Sequence, residues 1–216
     1  MNKQFYLPLL VVFVLFFYSC SKVEEPSSPP ETWPIDTTVL SYFYFNKGSY
    51  WVYKNDQTGQ NDTQEVTKAI KEWIYWAQEK KYERATIEYT STYEKSFYTR
   101  ILYWDRCHAP YCCLVFSGKS DTTGGYGYSG TCHYPFIINE TRNASIGSEY
   151  TVIDVYDSLT INRFTFKEVA QIRTINAYFF KGQDVDFYWA KGVGIVKRDF
   201  INLNESWSLI DYKLIK

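Results

Sequence analysis

The stretch FYWAKGVGIV, residues 187–196, decides the fold class of this chain. Two short runs of aromatic and β-branched residues flank Lys191 and Gly192, and this pattern predicts a β-hairpin that turns at those two residues. Aromatic and β-branched side chains favour the pleated, half-buried surface of a sheet. Because aromatic residues make up 20% of the whole chain, we expect strands along most of its length.

Strand-like segments recur on both sides of this hairpin. Residues 48–53 predict a buried strand that ends in the turn-rich segment 55–59, and residues 85–90 alternate apolar and polar side chains in period two. The same pattern continues in four further segments: residues 97–104, 152–156, 164–166 and 210–214. We therefore predict a mainly β domain over residues 35–216, with one antiparallel, curved sheet or open barrel-like sheet and at most two helices. An α+β fold is the alternative.

One segment, residues 63–80, departs from the strand pattern. Asp62 is followed three residues later by Glu65, as in a helix capping box. The run Trp-Ile-Tyr-Trp at residues 73–76 is a good strand former. The apolar residues of the segment fall at helical spacing: Val66, Ala69, Ile70, Trp73 and Ala77. Since the cap and the spacing agree, the sequence favours a helix here, with a strand as the alternative.

An apolar run near the start of the chain, residues 5–18, follows Lys3 and gives way to Ser19 and Cys20. A membrane-spanning helix needs about 20 apolar residues, so the run predicts the apolar region of a signal peptide. A buried core helix is a weak alternative, because apolar side chains cover every face of the run. Ser19 followed by Cys20 resembles the lipobox of bacterial lipoproteins. The resemblance implies that residues 1–19 are removed and that Cys20 carries acyl chains that anchor the protein to the membrane.

Residues 20–34 predict a lipidated cysteine followed by a tether rich in proline and glutamate. Such a segment cannot bury enough apolar surface to offset its ordering entropy and favours extended geometry. Ser21 stands where many lipoproteins carry the aspartate that retains them at the inner membrane, so the resemblance implies the outer membrane, facing the periplasm or the cell surface. Lys22 before two glutamates resembles an interrupted surface-export tag, although a solvated linker is the simpler interpretation.

Two further segments resemble the first and last strands of uncharacterised envelope lipoproteins with antiparallel β architecture. These are KGSYWVYK, residues 47–54, and YWAKGVGIVKRDF with SWSLIDYKLI, residues 188–200 and 206–215. The resemblance implies a fold type and no activity.

Four cysteines of the body form the clearest constellation: Cys107, Cys112, Cys113 and Cys132. An even number of thiols in an exported domain predicts two disulfides. Strands over residues 97–105 and 112–116, joined by a loop, favour the pairs Cys107–Cys112 and Cys113–Cys132. Zinc is the alternative, with ligands from Cys107, His108, Cys112, Cys132 and His133. We favour disulfides and no cofactor, because no Cys-x-x-Cys pair is present.

No catalytic motif stands out. A net charge of −1 gives no electrostatic footprint for nucleic acid. Asp154 with Asp157, and Asp184 with Asp186, could act as paired carboxylates or bind calcium, but none falls in an EF-hand pattern. Closely spaced acids of this kind are more typical of the solvated face of a strand.

The sequence thus favours a non-catalytic binding or structural protein of the envelope, not an enzyme, with an unknown protein or glycan partner. One alternative is glycan capture at the cell surface, because exposed aromatic rings can stack on sugars. The candidate rings are Trp33, Trp73, Trp76, Trp104 and Tyr126. The other alternative, an envelope hydrolase, is disfavoured by the missing motifs.

Overall fold

The structure, a computed structural model, describes residues 31–77, 80–92, 97–103, 113–120, 126–134, 136–143, 149–177 and 183–215. The predicted signal peptide, Cys20 and the tether up to residue 30 lie outside the described residues, and so do Trp104, Cys107, His108 and Cys112. Nothing in the structure therefore bears on lipidation.

Thirteen strands and one α-helix make up the described chain. The helix, α1, is Thr37–Phe43, and a short 3-10 turn covers Ile201–Leu203. The strands are β1 (Glu31–Trp33), β2 (Tyr50–Asn55), β3 (Asn61–Ala77), β4 (Lys80–Ser91), β5 (Phe97–Tyr103), β6 (Cys113–Ser120), β7 (Tyr126–Tyr134), β8 (Thr141–Asn143), β9 (Glu149–Ile161), β10 (Phe164–Ala177), β11 (Gln183–Ala190), β12 (Gly194–Phe200) and β13 (Glu205–Lys213).

All thirteen strands belong to one sheet with a simple topology. β2 to β7 lie side by side in chain order, β8 to β13 do the same, and the first and last of these, β2 and β13, pair with each other. These neighbours run antiparallel, while the short β1 lies parallel to β4. The sheet is not closed. The prediction of a mainly β, open sheet with few helices is confirmed.

The hairpin that opened the sequence analysis forms as predicted. β11 and β12 pair antiparallel, and Lys191 and Gly192 lie in the turn between them. Gly192 adopts a φ of 74°, the left-handed region that glycine enters without steric cost. Its N–H donates to the carbonyl of Ser41, 2.7 Å away, and so ties the turn to α1.

The helix predicted for residues 63–80 is wrong, because residues 61–77 form the long strand β3. The register between β3 and β4 shifts between Val66 and Lys68. A bulge of this kind adds one residue to a strand, so the next residue after Val66 that faces the core is Ala69 rather than Lys68. The resulting spacing of three imitates a helical repeat. Asp62, predicted as a helix cap, is a buried residue of the sheet interior.

Helix α1 packs on the concave face of the curved sheet. Its N-cap is Asp36, whose carboxylate accepts a hydrogen bond from the Thr38 N–H at 2.6 Å. The cluster around Val39 and Phe43 includes Ala85 of β4 and Ala170 of β10. β4 and β10 lie six positions apart in the sheet order, so one short helix can touch both only if the sheet curls around it. The larger core continues from there along the middle strands.

A short strand, β1, precedes the helix. β1 takes Glu31, Thr32 and Trp33 into the sheet, opposite Lys80, Lys81 and Tyr82 of β4. The predicted tether extended to Pro34, whereas the structure places residues 31–33 at a sheet edge. Within the described residues, no helix has the length and apolar character needed to cross a bilayer.

Candidate functional site

Among the described residues, an open concave site lies beneath the end of the β9–β10 hairpin. The hairpin turns at Asn162, which adopts a φ of 53°. The pairing of β9 with β10 shifts register between Gln171 and Ile172. Beyond this shift, the turn end of the hairpin crosses the sheet and reaches β13. The Asn162 side chain donates to the Leu209 carbonyl at 3.0 Å, and Arg163 donates to the Ile210 carbonyl at 3.4 Å. These contacts fold the hairpin end over the neighbouring strands.

Aromatic packing holds the hairpin end in place. The ring centroid of Tyr212 on β13 lies 5.5 Å from that of Phe164 and 6.3 Å from that of Phe166. Aromatic pairs at such distances add to the stability gained from burial alone. The hairpin end therefore forms a fixed overhang rather than a loose loop.

The space under this overhang, which we call the hairpin groove, has a volume of about 370 Å³. Its floor is a row of three residues in register on adjacent strands: Tyr188, Lys197 and Ser208. Tyr188 lies on the sheet face opposite α1, because the next residue, Trp189, packs against Phe43 of the helix. The wall is provided by β9 and its turn: Tyr156, Leu159, Thr160, Ile161 and Asn162.

The polar atoms of the floor are held by neighbouring acids. Lys197 Nζ lies 2.8 Å from Asp199 Oδ2 and 5.2 Å from the centroid of the Tyr188 ring. The Ser208 hydroxyl donates to Asp56 at 2.8 Å. Burial, reinforced by the Asp199 and Asp186 carboxylates, raises the pKa of Tyr188 well above its ordinary value. Tyr188 therefore presents a neutral phenol to the groove at physiological pH.

Tyr156 supplies the second phenol of the groove. Its hydroxyl donates to Gln171 Oε1 at 2.7 Å, and burial together with Asp154 and Asp186 raises its pKa. The groove thus combines the neutral phenol rings of Tyr156 and Tyr188 with hydroxyl and amide groups. Its one ammonium group, on Lys197, has its charge balanced by Asp199. This chemistry suits binding of a polar ligand with an apolar face better than proton transfer near neutral pH.

Two of the acids considered in the sequence analysis, Asp186 and Asp154, accept hydrogen bonds within the sheet. Asp186 is buried and accepts two hydrogen bonds from Arg173, at 2.7 and 2.8 Å, and one from Gln171 at 2.9 Å. Asp154 accepts from the Val155 N–H at 2.8 Å. Asp186 is thus a structural carboxylate that orders the outer face of β10 and β11.

All the side chains of the cysteine and histidine constellation lie outside the described part of the chain, and only the backbone positions of Cys113, Cys132 and His133 are described. Cys113 is opposite Tyr134, and Cys132 is opposite Val115, on the adjacent strands β6 and β7. The predicted partners Cys113 and Cys132 are therefore not directly opposite each other; each lies two residues along the strand from the residue that pairs with the other. Among the described residues, no group of three or more His, Cys, Asp or Glu side chains could hold a metal ion.

The aromatic residues proposed for glycan stacking do not share one surface where they are described. Trp33 stacks on Tyr82, with centroids 6.3 Å apart, and Lys80 Nζ lies 4.8 Å from the Trp33 ring. Trp73 lies near Lys81, on the opposite face of β4. The side chains of Trp76 and Tyr126, like the whole of Trp104, lie outside the described part of the chain.

Sequence reasoning missed both α1 and the hairpin groove. The signal for α1 was present, since Asp36 is a favoured N-cap residue and Ile35, Val39 and Phe43 recur at a spacing of four. No local signal marks the groove, because Tyr156, Tyr188 and Ser208 come from three strands that meet only in the folded sheet. No protein family, curated protein or solved structure matches this chain.

Proposed function

We propose that the protein is a lipid-anchored protein of the cell envelope that binds a ligand in the hairpin groove without changing it chemically. The observation that carries the binding role is the groove itself. It combines a volume of about 370 Å³, which falls within the range of small-molecule sites, with a fixed overhang and neutral phenols. The proposed anchor comes from the resemblance of Ser19-Cys20 to a lipobox.

The second candidate is narrower and concerns the ligand class. Tyr156 and Tyr188 could stack on the apolar faces of a sugar, while Thr160, Asn162 and Ser208 could hydrogen-bond its hydroxyls. These rings are different from the four tryptophans and Tyr126 that the sequence suggested. A neutral oligosaccharide of the envelope is therefore the ligand class that fits the groove best.

The binding role is tested with a variant that fills the groove. Thr160 lines it, whereas its cross-strand partner Thr165, with hydroxyl oxygens 3.0 Å apart, does not. Thr160→Trp should abolish binding of neutral oligosaccharides measured by calorimetry, and Thr165→Trp should retain it. Loss in both variants, or in neither, would argue against this groove as the site.

Two further outcomes separate the parts of the proposal. If no oligosaccharide in a panel of neutral, acidic and amino sugars binds to the wild type, the glycan candidate is overturned. If a bound oligosaccharide is recovered cleaved, the non-catalytic role is overturned. The anchor is tested independently by metabolic labelling with an alkyne fatty acid, which should tag the wild type and leave Cys20→Ser unlabelled.

A further inference from the structure

The free end of the β3–β4 hairpin is an unusually exposed aromatic surface. Pairing of β2 with β3 ends at Glu65, and pairing of β5 with β4 ends at Arg84, opposite Glu72 of β3. β3 continues to Ala77, so roughly 17 Å of the hairpin extends past both neighbouring strands. Near this end the Trp73 side chain is 41% exposed and the Tyr75 side chain 65%. Large exposed aromatic rings on a projecting hairpin indicate a contact with something outside the chain.

Lysines accompany these rings on both faces of the hairpin. Lys81 Nζ lies 5.5 Å from the Trp73 centroid and 5.3 Å from the Tyr75 centroid. On the opposite face, Lys80 Nζ lies 4.8 Å from the Trp33 ring. We call these five residues the aromatic end. Tryptophan and tyrosine concentrate at the level of lipid headgroups, and lysine extends its ammonium toward the headgroups from an apolar stem.

The path of the chain brings the same end toward the proposed anchor. β1 pairs Glu31 with Lys80, so the chain enters the sheet beside the aromatic end. Glu31 follows Cys20 by eleven residues, which can span at most about 40 Å. Asn61, at the other end of β3, lies roughly 50 Å further along the strand. The aromatic end is therefore the part of the body that a lipid anchor holds nearest to the bilayer.

We propose that the aromatic end contacts the headgroup region of the membrane in which the protein is anchored, and so fixes the orientation of the body on that surface. This inference rests on the proposed anchor at Cys20. The rings would lie at the interface, and the two lysines would each strengthen the contact with an anionic lipid surface by about five-fold. The contact should consequently weaken at high salt.

The test places the lipidated mature protein in vesicles of phosphatidylcholine and phosphatidylglycerol that contain lipids brominated near the headgroup. Bromine quenches tryptophan fluorescence only at short range. Trp73→Phe should lose a measurable part of the quenching seen in the wild type. Moving the indole along the same face, in Trp73→Phe/Tyr75→Trp, should restore it.

The matched control moves the indole to the opposite end of the sheet. Leu203 is 55% exposed in the turn between β12 and β13. Trp73→Phe/Leu203→Trp should therefore remain as weakly quenched as Trp73→Phe. Equal quenching of the wild type and Trp73→Phe, or restoration by Leu203→Trp, would overturn the proposal.

The remaining outcomes show whether something other than lipid covers the aromatic end, and whether Cys20 lacks the proposed lipid. Protection of Trp73 from aqueous acrylamide by a second copy or by envelope glycans, without quenching by brominated lipid, would also overturn it. If fatty-acid labelling shows no lipid on Cys20, the anchor part of the proposed function fails. The chain is then attached to nickel-chelating lipid through an N-terminal histidine tag, and the same comparison decides the inference.

Discussion

Arg198 of β12 donates a hydrogen bond to Asp62 of β3 at 3.1 Å, and both side chains are buried, with 3% and 0% of their surface exposed. Two further strands, β13 and β2, separate these residues in the sheet order. Gln64 donates to the same carboxylate at 2.9 Å and Ser91 at 2.7 Å. The ion pair thus ties together the N-terminal and C-terminal halves of the sheet.

Breaking this pair from the acidic side should be strongly destabilising. Asp62→Asn leaves the Arg198 guanidinium buried without a counter-charge, which typically costs about 3–5 kcal/mol. Arg198→Met should cost less, because Asp62 can then protonate and keeps its donors Gln64 and Ser91. Urea unfolding of both variants measures the difference. A smaller loss for Asp62→Asn than for Arg198→Met would contradict the buried-charge argument.

The same carboxylate should make stability depend on pH. Burial alone raises the pKa of Asp62, but the Arg198 guanidinium and the hydrogen bonds from Ser91 and Gln64 outweigh burial and lower it. Because the folded pKa then lies below the unfolded value of about 3.9, the unfolded chain binds the proton more readily. The contribution of Asp62 is complete above about pH 5 and is lost as the pH falls toward the folded pKa.

We therefore expect the free energy of unfolding to fall between pH 5 and pH 3, and to fall less in Asp62→Asn than in the wild type. Urea titrations at a series of pH values measure both slopes, and all other carboxylates are common to the two proteins. Parallel curves would show that Asp62 does not carry this dependence.

Gly194, the first residue of β12, should not tolerate a side chain. Its φ is 94°, and an added Cβ would lie 3.1 Å from Phe45 Cε2. Gly194→Ala should cost about 1–3 kcal/mol from overpacking, in addition to the strain of a left-handed alanine. Gly192→Ala is the matched control, because its φ is 74° but no atom lies within 4 Å. Chemical denaturation should rank Gly194→Ala as the less stable variant.

The four body cysteines should be oxidised in the mature protein. Thiol titration after unfolding without reductant should find fewer than two free thiols, and peptide mapping should find Cys113 linked to Cys132. That bridge should contribute about 3 kcal/mol by restricting the unfolded chain. Two or more free thiols would contradict the prediction, and bound metal in proportion to them would favour the zinc alternative.

Much of the fold could be predicted because its signals are local. The hairpin at Lys191 and Gly192, and the strand over residues 48–53, each carry their own pattern of apolar residues and turn residues. The helix predicted for residues 63–80 failed because periodicity reports spacing along the chain. The spacing from Val66 to Ala69 matches both a helical turn and a bulged strand, and only the pairing with β4 distinguishes them.

The sequence by itself determined the fold class, since the aromatic and β-branched residues of each strand need a pleated surface on which to bury one face. It also determined the predictions about the anchor, which depend on residues 5–20 alone. Only the tertiary structure decided that Asp62 meets Arg198, that Tyr156 and Tyr188 line one groove, and that Trp33 and Trp73 lie on opposite faces. Each of these depends on register, and a one-residue shift moves a side chain to the other face of the sheet.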